Sequence, residues 1–515
     1  MYPYGLVGNC QISALISKYG SIDWLCLPRP DSEPVFGKIL DADGGHFSIG
    51  PANRQLDVVG THSEVFCDQH YLENTNILIT EISCPDSGPN YDRFRITDFC
   101  PRFEQYGRMF RPMSLFRIVE PISGSPSIVV SCKPVTGWNK TFAKTIRGNS
   151  HLRFECSEDT LRLTTNMPLT YLCESTPFQL KDKLYFGLTW SSGIEDDLVQ
   201  VTERFLQQTQ NYWRTWVKHC SIPSLFQAET IRSALALKLH CYEDTGAILA
   251  ALTTSLPEEP GSARNWDYRY CWLRDAHFIL SAFHNLGHFE EMEGFLKFFL
   301  GIAKKHETSR ERLAPVYSLS QDLPLPEIEH HLWRGYYSST PVRTNNQAAE
   351  HVQNDVYGEM VLTLAPIFFD ERFFQLRNKE HEDLLAHLTL LCDRYVSKAD
   401  AGLWEIRKSQ QEHSFTNLMC WAGLERASRI QRNGYLKNLQ IDASLARDRA
   451  LAAIERSVKD GSIRNGPMDQ SYDAALSLAA ILRLPRNEIC LATVRDIERH
   501  LAVGSARPDS SFYYR

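Results

Sequence analysis

Between residues 264 and 275 the chain reads RNWDYRYCWLRD, which sets Trp266, Tyr268, Tyr270 and Trp272 among Arg264, Asp267, Arg269, Arg274 and Asp275. Flat aromatic faces give a ligand with an apolar face something to stack on, and carboxylate and guanidinium groups can each take two hydroxyls at once. The rings recur at every second residue, which suits an extended segment and not a helix. The competing reading is a buried aromatic bend whose charges pair with one another. A second stretch, AGLWEIRKSQQEHSFTNLMCW (401–421), puts Glu405 directly after Trp404. A ring packed on a carboxyl group disfavours its charged form and lifts its pKa, as a general acid near neutral pH requires. Its competing reading is an ordinary carboxylate at a loop edge. Taken together, the two stretches point to sugar chemistry: rings for sugar faces, Arg and Asp for paired hydroxyls, and an acid to protonate a leaving oxygen.

Other chemistries lack their residues. There is no phosphate-cradling glycine loop, no Gly-x-Ser-x-Gly elbow and no His-Glu-x-x-His pair, so no cofactor is expected. Glu327, Glu329, His330 and His331 are potential metal ligands, but they fall in a loop without helical spacing. A solvated charged loop is expected there, and no metal.

The elements that must position these residues follow from the apolar periods. At 515 residues, two or three domains are expected. Up to about residue 190 the apolar runs are short and β-branched, as in NILITEIS (76–83), DRFRITDF (92–99), PSIVVSCKP (126–134), HLRFECS (151–157), TLRLTT (160–165) and KLYFGLTW (183–190). Strands without intervening helices predict an antiparallel β-sandwich over 1–193. A linking helix is expected within 194–225. From 226 to 515 the period is helical, with helices expected near 228–251, 273–286, 288–304, 347–366, 379–397, 415–430, 443–459, 471–483 and 488–502. Short polar turns between them suggest antiparallel pairs in a closed ring, whose longest loop is 305–346.

Composition narrows the partners. A net charge of −7 with no basic run argues against a nucleic-acid surface. No window approaches 18 consecutive apolar residues, so no membrane span is expected. The start, MYPYGLVGNCQISALI, lacks the pattern of a secretory signal. The 14 cysteines include no Cys-x-x-Cys pair, which suggests reduced thiols and a cytoplasmic protein.

Several long stretches, in order, resemble the glucoamylase-like glycoside hydrolases of family 15, a group that also includes trehalases and glucodextranases. They are YGLVGNCQISALISKYGSIDWLCLPRPDSEPVFGKIL, ITDFCPR, TTSLPEEPGSARNWDYRYCWLRDAHF, VQNDVYGEM, and GLWEIR followed by LMCWAGLERA. The resemblance implies an N-terminal β-sandwich, a helical linker and a C-terminal (α/α)6 toroid. It makes Glu405 the general acid and Arg274 and Asp275 the hydroxyl clamp of a terminal glucose. Tyr268 and Trp272 would line that subsite, and Trp404 would stack beside the acid. The activity expected is that of an inverting, exo-acting α-glucosidase releasing glucose from an α-glucoside or malto-oligosaccharide. A trehalase of the same family is the alternative, with the 305–346 loop deciding the acceptor. Further rivals are an inverting phosphorylase and a catalytically impaired sugar-binding homologue.

Two departures from the family pattern are visible. Phe415 and Asn417 stand where many relatives carry His and Lys. The family's base is a Glu in a segment after FYYR, and this chain stops at Arg515. The toroid is therefore expected to lack its last helices and its base, and the chain to hydrolyse poorly. Asp469 and Asp473, without an aromatic neighbourhood like that of Glu405, are the late carboxylates weighed as substitutes.

Overall fold

In the computed structural model the described residues are 3–52, 65–84, 92–309, 312–405 and 409–502. The chain divides into two compact units. One comprises Met1–Tyr270, Ala282–Phe295 and Pro326–Asn346; the other comprises Cys271–Ser281, Leu296–Leu325 and Gln347–Arg515.

The first unit is built on two antiparallel sheets. A seven-stranded sheet holds Tyr4–Gly8, Ser13–Ser17, Ser21–Cys26, Pro34–Phe36, His46–Pro51, Ser127–Lys133 and Phe178–Gln179. An eight-stranded sheet runs in the order Lys144–Arg147, His151–Glu155, Thr160–Thr165, Leu184–Trp190, Ser114–Ser123, Asp92–Phe99, Leu78–Cys84, Phe66–Tyr71. Period-two patterning explains the layering: in His151–Glu155, Leu152 and Phe154 point inward while Arg153 and Glu155 face water. Inward residues of both sheets, among them Ile22, Phe47, Ile49, Ile82, Phe94, Ile96, Leu115 and Leu163, share one core. Arg117, fully buried, pins the sheets together. It pairs with Asp98 at 2.7 Å on its own sheet and donates to the carbonyls of Phe47 and Gly20 at 2.8 and 2.7 Å. The helix Leu198–Lys218 follows, capped by Asp197, which accepts from Gln200 N at 2.9 Å.

The expected 228–251 helix is shorter than its apolar pattern. It spans Gln227–Lys238 and gives way to a hairpin that pairs Cys241–Tyr242 with Ala247–Ile248. The reason is the Asp244–Thr245–Gly246 turn, in which Gly246 holds a φ of +83° that a side chain would resist. The 305–346 region contains the pair Ile328–Glu329 and Arg343–Thr344. Its Pro326–Asn346 part is tied to the rest of the first unit. Asp41 accepts from Lys140 Nζ at 2.8 Å and from Arg334 Nη2 at 2.7 Å, and Trp333 Nε1 donates to Trp138 O at 2.8 Å.

In the second unit, Asp355–Phe369 and the first half of Ser414–Arg432 are buried on nearly all sides. Their backbones meet closely. A Cβ placed on Gly358 would stand 2.2 Å from the carbonyl oxygen of Met419. Lys379–Tyr395 and Ala443–Glu455 bury one stripe each and begin at side-chain caps from Asn378 and Asp442. The helix expected over 471–483 is instead a single 3₁₀ turn, Ala474–Ser477, with a four-residue helix, Leu478–Ile481. It stops where Arg483 turns to a φ of +62° ahead of Pro485. No helix of the described residues is long and apolar enough to cross a membrane.

Candidate active site

Three segments of the second unit converge on Glu405. The first is the strand Cys271–Trp272, paired with Val316–Tyr317, after which Leu273 N donates to Pro315 O at 2.9 Å and the helix Leu273–Leu286 begins. The second is the residue pair just ahead of the helix Asp355–Phe369. The third is the turn that carries Glu405 itself.

Two side-chain donors hold Glu405 through one oxygen. Trp272, 1% exposed, donates its indole N–H to Glu405 Oε1 at 2.8 Å. Gln353 Nε2 donates to the same oxygen at 3.2 Å, while Gln353 Oε1 accepts from Arg274 Nη1 at 2.9 Å. Arg274 has only donors, so the Gln353 amide has one workable orientation: oxygen toward Arg274, nitrogen toward the carboxylate. Arg274 Nη2 lies 3.6 Å from Glu405 Oε1 and 3.7 Å from Asp275 Oδ2. Glu405, Gln353, Arg274 and Asp275 are thus one connected polar chain.

Backbone chemistry explains how Glu405 gets there. Its N–H donates to Gly402 O at 3.1 Å, and its φ of +55° is one that a side chain adopts at a cost of about 1 kcal/mol. Gly402, at +67°, permits the turn; a Cβ there would meet the His413 ring at 2.7 Å. Buried Asp400 holds the turn. It accepts from Gly402 N at 3.1 Å, Asn354 N at 2.8 Å and Thr416 Oγ1 at 2.9 Å, with His413 Nδ1 at 2.9 Å. One carboxylate therefore ties the acid turn to the starts of the two inner helices.

The group is open on one side: Asp275, Glu405 and Arg274 keep 36%, 21% and 13% of their side-chain surface. Asp275 is sunk on its flanks and open at its tip. Burial pushes its carboxyl above the usual range and Glu405 adds to this, while Arg274 opposes it.

Trp404 hydrogen-bonds Asp473 through its side chain, so Asp473 does have an aromatic neighbour, contrary to expectation. That carboxylate also caps Ala474–Ser477 by accepting from Ala475 N at 2.9 Å, and burial raises its pKa. Asp469 accepts from Gln411, Asn465 and Ser471; against burial, these bonds pull its carboxyl down to about 2. Both late carboxylates are thus committed to local structure.

Tyr268 lies in the first unit, half-buried, its carbonyl accepting from Ala251 N at 2.9 Å. Within its run, Asp267 and Arg269 are enclosed and pair with each other at 2.8 Å, so for these two the buried-bend reading holds. Glu327 and Glu329 face Arg343, and His330 stacks on Trp138 while bonding Thr344. No group of three potential metal ligands occurs among the described residues. Gln353 and Asp400 carry much of the geometry and went unassigned at the sequence level. For Gln353 the available signal was VQNDVYGEM, a polar run opening an apolar helix.

Comparison with known proteins gives the chemistry a context. The profile of the family described as Glycosyl hydrolases family 15 matches residues 227–501, and that described as Trehalase-like, N-terminal matches residues 3–172. A trehalase of Mycolicibacterium smegmatis is 30% identical over 94% of this chain and 74% of its own. A trehalase of Thermoplasma volcanium is 28% identical over 97% of this chain and 78% of its own. A crystal structure of a bacterial glucoamylase with acarbose matches with a TM-score of 0.63 at 12% identity, over 100% of this chain and 82% of that one. The last likeness concerns fold alone: an antiparallel sheet domain followed by an (α/α)6 helical region. These relatives overturn the expectation of a glucoamylase-type α-glucosidase. Chains similar to this one along nearly its whole length are named trehalases, the alternative reading.

Proposed function

Since the chain belongs to the glycosyl hydrolases family 15 and is a glycosidase acting on a small sugar substrate, we propose that it hydrolyses trehalose to two molecules of glucose. The observation that carries this reading is the Gln353 bridge, which joins a candidate acid to a candidate hydroxyl clamp in a family whose similar members are trehalases.

In this reading Arg274 and Asp275 hold adjacent hydroxyls of one glucose. Glu405 Oε1 already accepts from Trp272 and Gln353, so the transferable proton belongs on Oε2. Oε2 protonates the oxygen joining the two rings as the bond from the clamped glucose to it breaks, and the second glucose departs as the neutral alcohol. Water adds to the clamped anomeric carbon from the opposite face, and its proton passes to solvent. Inversion at that one centre turns α,α-trehalose and water into one α- and one β-glucose.

Purified protein should release glucose from trehalose faster than from maltose or maltoheptaose. Proton NMR of the first turnovers should show equal α- and β-glucose before mutarotation. Preferred cleavage of maltoheptaose would overturn the trehalose reading, and exclusive α-glucose would overturn inversion.

A further inference from the structure

The helix Asp355–Phe369 carries Asp355, Glu359 and Thr363 at four-residue spacing, so the three lie along one stripe. Thr363 Oγ1 meets His277 Nδ1 at 2.9 Å, and His277 sits one turn beyond Arg274 on the helix Leu273–Leu286. That contact joins the two helices, and Arg274 feels the charge of both carboxyl groups. The guanidinium also serves Asp275 and Glu405, so it faces four carboxyl groups. Asp355 and Glu359 are fully enclosed, and none of their four oxygens receives a hydrogen bond from another residue.

One cation cannot neutralise four carboxylates, and protons go to the two that lack both water and donors. Burial pushes Asp355 up to about 7; Arg274 opposes this, and Asp400 and Glu405 add to it. Burial, then Asp355, drives Glu359 well above the usual range. The charged or titratable groups acting on Asp355 are Arg274 from its helix, Asp400 and Glu405 from the acid turn, Glu359 on its own helix, and Cys420 from Ser414–Arg432. Asp275 adds its field at Glu359.

We propose that Asp355 is a positioning residue for Arg274: as the neutral acid it leaves the guanidinium to Gln353, Glu405 and the sugar, and as a carboxylate it draws the guanidinium out of the clamp. The inference rests on reading Arg274 as a glucose-holding group, and it gives the site a pH dependence seated outside the acid. Glu359, which burial holds well above the usual carboxyl range, serves as the internal control.

Glucose itself is the probe, titrated calorimetrically into the full chain and into the variants Asp355→Asn and Glu359→Gln, alongside trehalose turnover. In the wild type, Kd should weaken roughly tenfold between about pH 6 and pH 8, as ionisation of one group in that range dictates. In Asp355→Asn the change should fall below about twofold over the same range, with Glu359→Gln behaving like the wild type. The parallel loss in turnover should appear in KM and not in kcat. An unaltered pH dependence of Kd in Asp355→Asn overturns the proposal. So does its loss in Glu359→Gln, which remains decisive if Asp355→Asn fails to fold. Absence of glucose binding at every pH removes the clamp and the proposal with it. Pronounced, Asp355-dependent glucose binding without trehalose hydrolysis would instead sink the assigned substrate and leave this inference standing.

Discussion

Two tryptophans illustrate how residue type is easier to read than residue role. Trp272 and Trp404 were both expected to offer ring faces, one to the sugar and one to the acid. In the structure the indole N–H of Trp272 donates to Glu405, and the Trp404 side chain hydrogen-bonds Asp473. Sequence spacing shows that a ring is present but not which edge of it meets a partner distant along the chain. Glu405 was singled out because it directly follows Trp404 in a loop between two helices; Gln353 was not, because a lone Gln before an apolar helix carries no distinctive pattern. This separates three variants. Glu405→Gln keeps the shape and loses the proton, so kcat for trehalose should fall by roughly 10²- to 10⁴-fold with glucose binding retained. Trp272→Phe keeps the ring and loses a charge-assisted bond of about 1.5–3 kcal/mol, so kcat/KM should fall roughly 10- to 100-fold. Trp404→Phe should cost far less. Equal losses at the two tryptophans, measured by steady-state kinetics, would show that indole donation to Glu405 is not what matters.

Among the elements, those with a clean period were recovered from the sequence. Asp92–Phe99, Thr160–Thr165 and Leu184–Trp190 lie within a residue of their expected spans, and Lys379–Tyr395 and Ser414–Arg432 lie within two. Ser21–Cys26 was not singled out, because all six of its residues are buried and its pattern therefore does not alternate. The helix expected to run through 251 fails at a glycine turn, a local signal that outweighs the surrounding apolar stripe. Gly358 shows what helix-scale packing asks of one position. Its Gly→Ala variant gains helix propensity of nearly 1 kcal/mol yet must push a backbone carbonyl that already lies 2.2 Å from the new methyl. Overpacking of this kind costs about 1–3 kcal/mol, so the net effect should be destabilising, read as a lower denaturant midpoint. A raised midpoint would mean that the two inner helices can move apart.

At the scale of the whole chain, acid sensitivity has an identifiable source. In the first unit Arg102, Lys238 and Glu243 form a buried group, with Glu243 Oε1 2.6 Å from Arg102 Nη2 and 2.7 Å from Lys238 Nζ. Despite burial, these cations hold the Glu243 carboxyl down to about 2 from its ordinary 4.5. A depressed folded-state pKa means that the unfolded chain takes up the proton first. The stabilisation is therefore complete above about pH 4.5 and is lost as pH falls toward 2. Glu243→Gln should flatten that acid limb in a denaturation series; an unchanged limb would place the sensitivity elsewhere. The two units also interleave along the chain, which passes between them after residues 270, 281, 295, 325 and 346. In terms of modularity, no single cut yields both units. A fragment beginning at Cys271 carries Ala282–Phe295 and Pro326–Asn346 without the Arg334 anchor at Asp41 or the Trp333 contact at Trp138. Such a fragment, expressed alone, should give broad amide NMR signals and no sharp thermal transition. Co-expression with residues 1–270 as a separate chain should restore both, making this enzyme a candidate for a split reporter whose halves are silent apart.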